Sequence, residues 1–289
     1  MEHPESLTAR PRASHVPWQA WVLGAVTVVA LVAGTVARGF IGDAWIFTTN
    51  NLGESVPSAL PILVGTGVAV GADRWPVGRA WLVAGAWLLA VAGVLSIISD
   101  VQFTQVVNQG GLGFQDLESW FLIFGVAGGV AHLVGFGALA IGIWRSRPEG
   151  WPGVRAAAAV ALATVTAVAA AGPLAAIAAF GAYGSLPSTI VNLTLAAIST
   201  LAVGGLAVAA VRGGPPRGSI PELVISTGAA TFVAAEGLTW WLFVISQMEV
   251  QRLGSLEPLG NVALVLLGTG FASGAVFRPV DARAAQGEP

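Results

Sequence analysis

The chain has 289 residues, 55% of them hydrophobic and only 10% charged, with a net charge of −2 and a mean hydropathy of +0.77. A soluble domain carries about 25% charged residues, so lipid is the solvent that suits most of these side chains, and the near-zero charge excludes nucleic acid as a partner. There are no cysteines, which excludes disulfides, thiolate metal sites, Fe–S clusters and thiol catalysis. There is no lysine either: all thirteen basic residues are arginine, which excludes a Schiff base to retinal or pyridoxal phosphate and a P-loop lysine.

Residues 1–17 form a mixed-charge tail with Glu2, Glu5, Arg10 and Arg12. The apolar run after it, Trp18 to Ala37, exceeds the roughly 7–15 residues of a signal-peptide core and reads as a first membrane helix. A span needs about 20 mainly apolar residues. That criterion predicts an all-α integral membrane protein with eight transmembrane helices, at about 18–38, 56–72, 80–99, 117–144, 154–180, 187–211, 221–247 and 258–277. One transmembrane domain then fills 18–277, followed by a tail at 278–289. Seven spans is the main alternative. The second segment is short and holds Pro57 and Pro61, so it either starts earlier or is kinked. The fifth holds Gly172-Pro173, read as a kink because the apolar run continues to Phe180.

Arginine placement gives the orientation. With the N-terminus inside, the inner segments hold eleven arginines and the outer ones only Arg38 and Arg252. This positive-inside asymmetry puts both termini in the cytoplasm and favours an even number of spans. Tryptophans mark the two interfaces: Trp18, Trp21, Trp75, Trp81, Trp144 and Trp151 inside, Trp45, Trp120, Trp240 and Trp241 outside. The outer loops, about 39–55 and 100–116, read as long and acidic, a solvated face that could also gather cations. The Arg/Ala/Gly/Val bias fits the cell membrane of a bacterium with a GC-rich genome.

Even-numbered helices end inside at Arg74, Arg145, Arg212 and Arg278, at spacings of 71, 67 and 66 residues. Three outer turns share a theme: LGESVPS at 52–58, YGSLPS at 183–188 and LGSLEP at 253–258. The chain therefore reads as four hairpin repeats or as a 4+4 duplication, an organisation common among transporters. Gly67-xxx-Gly71, Gly125-xxx-Gly129, Gly270-xxx-Gly274 and, more weakly, Gly205-xxx-Ala209 are small-residue motifs for close helix packing. They put the even helices at the tight centre of the bundle.

Two ionisable side chains lie deep in spans, Glu236 and His132. An acid within a membrane helix is costly and normally faces a partner or a wet cavity. His132 precedes Arg145 by thirteen residues, roughly 20 Å at the helical rise, and Glu236 follows Glu222 by fourteen on an oppositely directed helix, roughly 21 Å. The two share a level and are expected to pair. His132 lies on the face of Gly125, Gly129 and Phe136, so it points at a neighbouring helix. Glu118, fourteen residues earlier, falls within about 40° of that face at the outer mouth. Thr239 and Trp240 stand three and four positions after Glu236, hence beside it, and an indole over an acid suits a cationic or amphipathic ligand. The plainer reading makes His132 and Glu236 hydrogen-bonded packing residues, Glu118 a solvated acid, and Trp240 and Trp241 interface anchors.

Only one histidine lies within a span, which excludes bis-histidine haem and argues against a histidine-rich metal site. No HExxH, GxSxG, Walker A or aspartate-rich diphosphate motif occurs. The sequence points to no cofactor and no metal. The leading expectation is a transporter-like protein, not an enzyme, that handles a proton, a small cation or a small amphipathic molecule at a site of His132, Glu236, Glu118, Thr239 and Trp240. Its partners would be the lipid bilayer, that ligand, and a second copy or a partner subunit. The alternatives are a non-catalytic membrane subunit or scaffold, and an intramembrane enzyme that modifies a lipid or isoprenoid with Glu236 as its acid.

Overall fold

A backbone in lipid must satisfy its own N–H and C=O groups, and a helix does so within one segment. The computed structural model describes residues 16–41, 49–108, 114–146, 153–181, 187–213, 220–245 and 256–277, with backbone alone at several helix ends. All its regular elements are helical: α1 (Trp18–Ile41), α2 (Thr49–Gly71), α3 (Arg79–Asn108), α4 (Phe114–Arg145), α5 (Gly153–Gly181), α6 (Pro187–Gly213), α7 (Ile220–Ile245) and α8 (Glu257–Ser273), with two 3₁₀ turns, Ala72–Arg74 and Pro76–Gly78, joining α2 to α3. Seven helices are long and apolar enough to cross a membrane, and α8 is a shorter apolar helix of 17 residues. Among the described residues this is the bundle of a multi-pass membrane protein. The tails 1–15 and 278–289 lie outside them.

Each expected helix is present, with shifted ends. α2 begins at Thr49, seven residues before its apolar run, and carries Pro57 and Pro61 inside it. α3 continues to Asn108, through Asp100, Gln102 and Thr104. The acidic outer loops are therefore shorter than expected, because Glu54 and Asp100 belong to helices. The physical reason is that hydropathy marks where a helix is apolar, not where its hydrogen-bonded ladder stops. α5 continues through Pro173, as expected. Proline has no N–H for the Ala169 carbonyl, and beside that break the Trp241 indole of α7 donates to the Val168 carbonyl at 2.8 Å. Trp241→Phe is therefore expected to cost roughly 0.6 kcal/mol, the mean for an interhelical hydrogen bond in membranes. Thermal unfolding followed by circular dichroism would check it. Trp75 also departs from the interface reading: it is buried, edge-on to Phe271 at 5.6 Å.

Helix neighbours define the architecture. α2, α3, α4, α6, α7 and α8 follow one another in a closed ring, and α8 meets α2. α1 sits outside against α2 and α3, and α5 sits outside against α6 and α7. Adding four to every helix number, counted cyclically, maps this set of neighbours onto itself.

The tightest seam joins α2 to α8. A β-carbon added at Gly67 would lie 2.1 Å from the Gly268 carbonyl oxygen, and one at Gly71 only 1.7 Å from that of Phe271. Backbone touches backbone here, as small-residue motifs allow. The Gly270-xxx-Gly274 motif is split: a β-carbon at Gly270 would point towards Ile225 of α7 at 2.9 Å, while one at Gly274 would stay on the α2 side, 3.2 Å from the Gly71 carbonyl oxygen and from Arg74 Cδ. Gly205 of α6 meets nothing within 4 Å, so of the weaker motif only Ala209, buried in the core, packs against the bundle.

Candidate functional site

Four ring helices line a partly open cavity of about 280 Å³. α3 contributes Ser96; α4 contributes Gly125, Gly128, Gly129 and His132; α6 contributes Leu195, Ala196, Ser199 and Thr200; α7 contributes Phe232 and Glu236. The glycines of α4 bring it close to its neighbours at this site: a β-carbon at Gly129 would stand 3.2 Å from Leu195 and one at Gly128 3.4 Å from Leu95. The two deep ionisable residues thus face one hollow from different helices. No ion pair joins them: the hollow lies between, and the direct pairing expected from their depth is replaced by a shared cavity.

His132 lies against aromatic rings. Its imidazole centroid is 4.7 Å from Phe136 and 6.3 Å from Phe232, and the two phenyl rings are 6.5 Å apart. Phe136 follows His132 by four residues and Phe232 precedes Glu236 by four, on helices of opposite direction. Both rings therefore lie on the arginine-bearing side of the cavity, Phe232 lining it and Phe136 packed behind. Trp240 is one turn beyond Glu236 on the other side, close enough to bear on its carboxyl group and edge-on to Phe243 at 6.0 Å. Its buried indole Nε1 makes no hydrogen bond of ordinary geometry. Thr239 and Trp240 do not line the cavity. Glu118 falls in α4, but its side chain is outside the described residues. Among the described residues no group of three or more His, Asp or Glu side chains could hold a metal ion.

Two ionic contacts escape a reading of the sequence. At the arginine-bearing end, Arg74 donates to both carboxylate oxygens of Glu222, Nε to Oε1 at 2.8 Å and Nη2 to Oε2 at 2.9 Å. Both side chains are only 6% exposed, so this fork joins the end of α2 to the start of α7 away from solvent. At the opposite end, Arg38 of α1 lies 3.8 Å from Asp100 of α3, which also accepts a hydrogen bond from Ser58 of α2. Arg38, read as an outer-loop base, is instead a buried tie among three helices. The partners are 148 residues apart in the first case and 62 in the second, and no local spacing signals either.

Comparison with protein-family models, with curated proteins and with solved structures finds no match. The functional reading rests on the geometry.

Proposed function

We propose that this chain is a transporter-like membrane protein that handles a proton, a small cation or a small amphipathic molecule in the cavity between His132 and Glu236. The observation that carries the reading is the cavity itself: one carboxyl, one imidazole and three hydroxyls from four helices face a single hollow. Solid packing would serve a scaffold better, because buried ionisable groups cost free energy that neutral residues avoid. At about 280 Å³ the hollow is just below the roughly 300 Å³ where drug-sized sites begin, which suits an ion with its water or a small organic cation.

The arrangement supports access from the end opposite the arginines. The Phe136–Phe232 pair and the Arg74–Glu222 fork close the other side. Arginine placement supports eight spans with both termini in the cytoplasm, so the open side would be external. Glu118, Thr239 and Trp240 lie on that side of His132 and Glu236 and would line the approach. The invariance of the helix neighbours under a shift of four supports descent from a 4+4 duplication, with the site drawn from α3 and α4 of one half and α6 and α7 of the other.

The test is flux in proteoliposomes, with an imposed pH gradient and a fluorescent organic cation as probes. Wild-type protein is expected to carry one of them, and His132→Ala and Glu236→Gln each to reduce that flux at least tenfold while the melting temperature stays within a few degrees. Unchanged flux in both variants would overturn the reading. Absence of any flux in the wild type would move the chain to the scaffold class.

A further inference from the structure

A second and larger hollow, about 540 Å³, lies between α4, α5 and α6, on the arginine-bearing half of the bundle and apart from the His132–Glu236 cavity. Ala140, Ile141, Ala163, Leu201 and Val208 give it apolar walls, and Thr166, the only hydroxyl along it, is spent on the Leu162 carbonyl of its own helix at 2.7 Å. Leu201 lies eleven residues from Arg212, so the groove reaches roughly 16 Å into the bundle from that end. Trp144 and Arg145 stand at its rim. The Arg212 guanidinium lies 3.8 Å from the centroid of the same Trp144 ring, which brings a second cation to the rim. Among the described residues no acidic side chain lines the groove.

We propose that this groove holds one anionic glycerophospholipid, with an acyl chain along α6 and its phosphate on Arg145 beside the Trp144–Arg212 stack. The charge pattern fixes the occupant: an apolar channel capped by guanidinium groups complements an acyl chain ending in phosphate, and basic pockets between membrane helices are a known form of headgroup site. A zwitterionic lipid would fill the channel but bring an ammonium to a cationic rim. The glycines agree. Gly204 and Gly205 both line the groove: a β-carbon at Gly204 would stand 2.1 Å from the Thr166 methyl across it, whereas one at Gly205 meets nothing within 4 Å. The small residue at Gly205 keeps the channel clear for something that is not part of this chain.

The experiment uses full-length protein in mild detergent, with dioleoylphosphatidylglycerol and dioleoylphosphatidylcholine as probes. Retained lipid is counted by native mass spectrometry and stability is read by thermal unfolding. Phosphatidylglycerol is expected to be retained several-fold more than phosphatidylcholine and to raise the melting temperature more. Arg145→Gln should abolish that preference, and Gly205→Phe, which fills the channel without meeting backbone, should lower retention of both lipids several-fold. Equal retention of the two lipids by the wild type would overturn the proposal, as would undiminished retention by Gly205→Phe. A change in oligomeric mass on Gly205→Phe with lipid retention unchanged would overturn it too, and assign the groove to a second copy of the chain.

Discussion

Arg74→Ala lowers stability by about 3–5 kcal/mol, the expected cost of leaving the Glu222 carboxylate buried without its partner. The pair is almost fully enclosed and forked, so neither member can turn to water when the other is lost. For a chain of this size that loss corresponds to a fall in melting temperature on the order of 10 °C. Glu222→Ala removes the acceptor of both guanidinium hydrogen bonds and should also destabilise, by less, because the Trp75 ring still lies 5.7 Å from the guanidinium carbon. The informative variant removes both charges: Arg74→Met with Glu222→Leu should recover most of the stability, because apolar residues of similar volume avoid the desolvation that the ion pair had to overcome. Three melting curves decide it. If the double variant is as damaged as the sum of the two singles, the pair is not coupled as its geometry requires.

Gly71→Leu should be more damaging still. The β-carbon alone would lie 1.7 Å from the Phe271 carbonyl oxygen, and a backbone oxygen cannot swing aside as a side chain can. α2 and α8 would have to part by more than 1 Å along a seam that also holds Gly67 against Gly268. The expected outcome is loss of folded protein, seen as aggregation on size-exclusion chromatography. Gly71→Ala should give the same defect in milder form. Gly205→Ala is the control: it meets nothing within 4 Å and replaces a poor helix former by the best one, so it should be neutral or stabilising by up to about 1 kcal/mol. Similar behaviour of Gly71→Ala and Gly205→Ala would show that the α2–α8 seam is looser than described.

The sequence carried the helices because each is a continuous apolar run, and it carried the shared level of His132 and Glu236 because depth follows from counting residues to the arginines, although the two line one hollow without pairing. Rotation about the helix axes was only partly legible. The glycines beside His132 signalled a face turned inward, but small residues of the kind that pull α2 onto α8 border a hollow at α4, and spacing alone does not distinguish the two. Gly205-xxx-Ala209 looked like a packing motif and instead lines an open groove. Arg74 and Asp100 looked like boundary residues because charge in an apolar chain is usually placed at an interface. Their tertiary roles depend on partners brought in by the fold: Glu222 encloses Arg74, while Asp100, still partly exposed, is tied to Arg38 and Ser58. Trp241 was readable as a tryptophan near a helix end, but not as the donor that serves the backbone next to Pro173.

The two places where the halves meet edge to edge, α2 with α8 and α4 with α6, are exchanged by the same shift of four helices, yet they are built differently. One is backbone against backbone, with no slack. The other borders empty volume on both sides, the His132–Glu236 cavity on one and the α4–α5–α6 groove on the other. A swing of helices α1–α4 against α5–α8 would meet no slack at the first seam and open volume beside the second. Any such swing would change the volume of both hollows at once, so a molecule wedged in the groove would act on the width of the cavity without touching it.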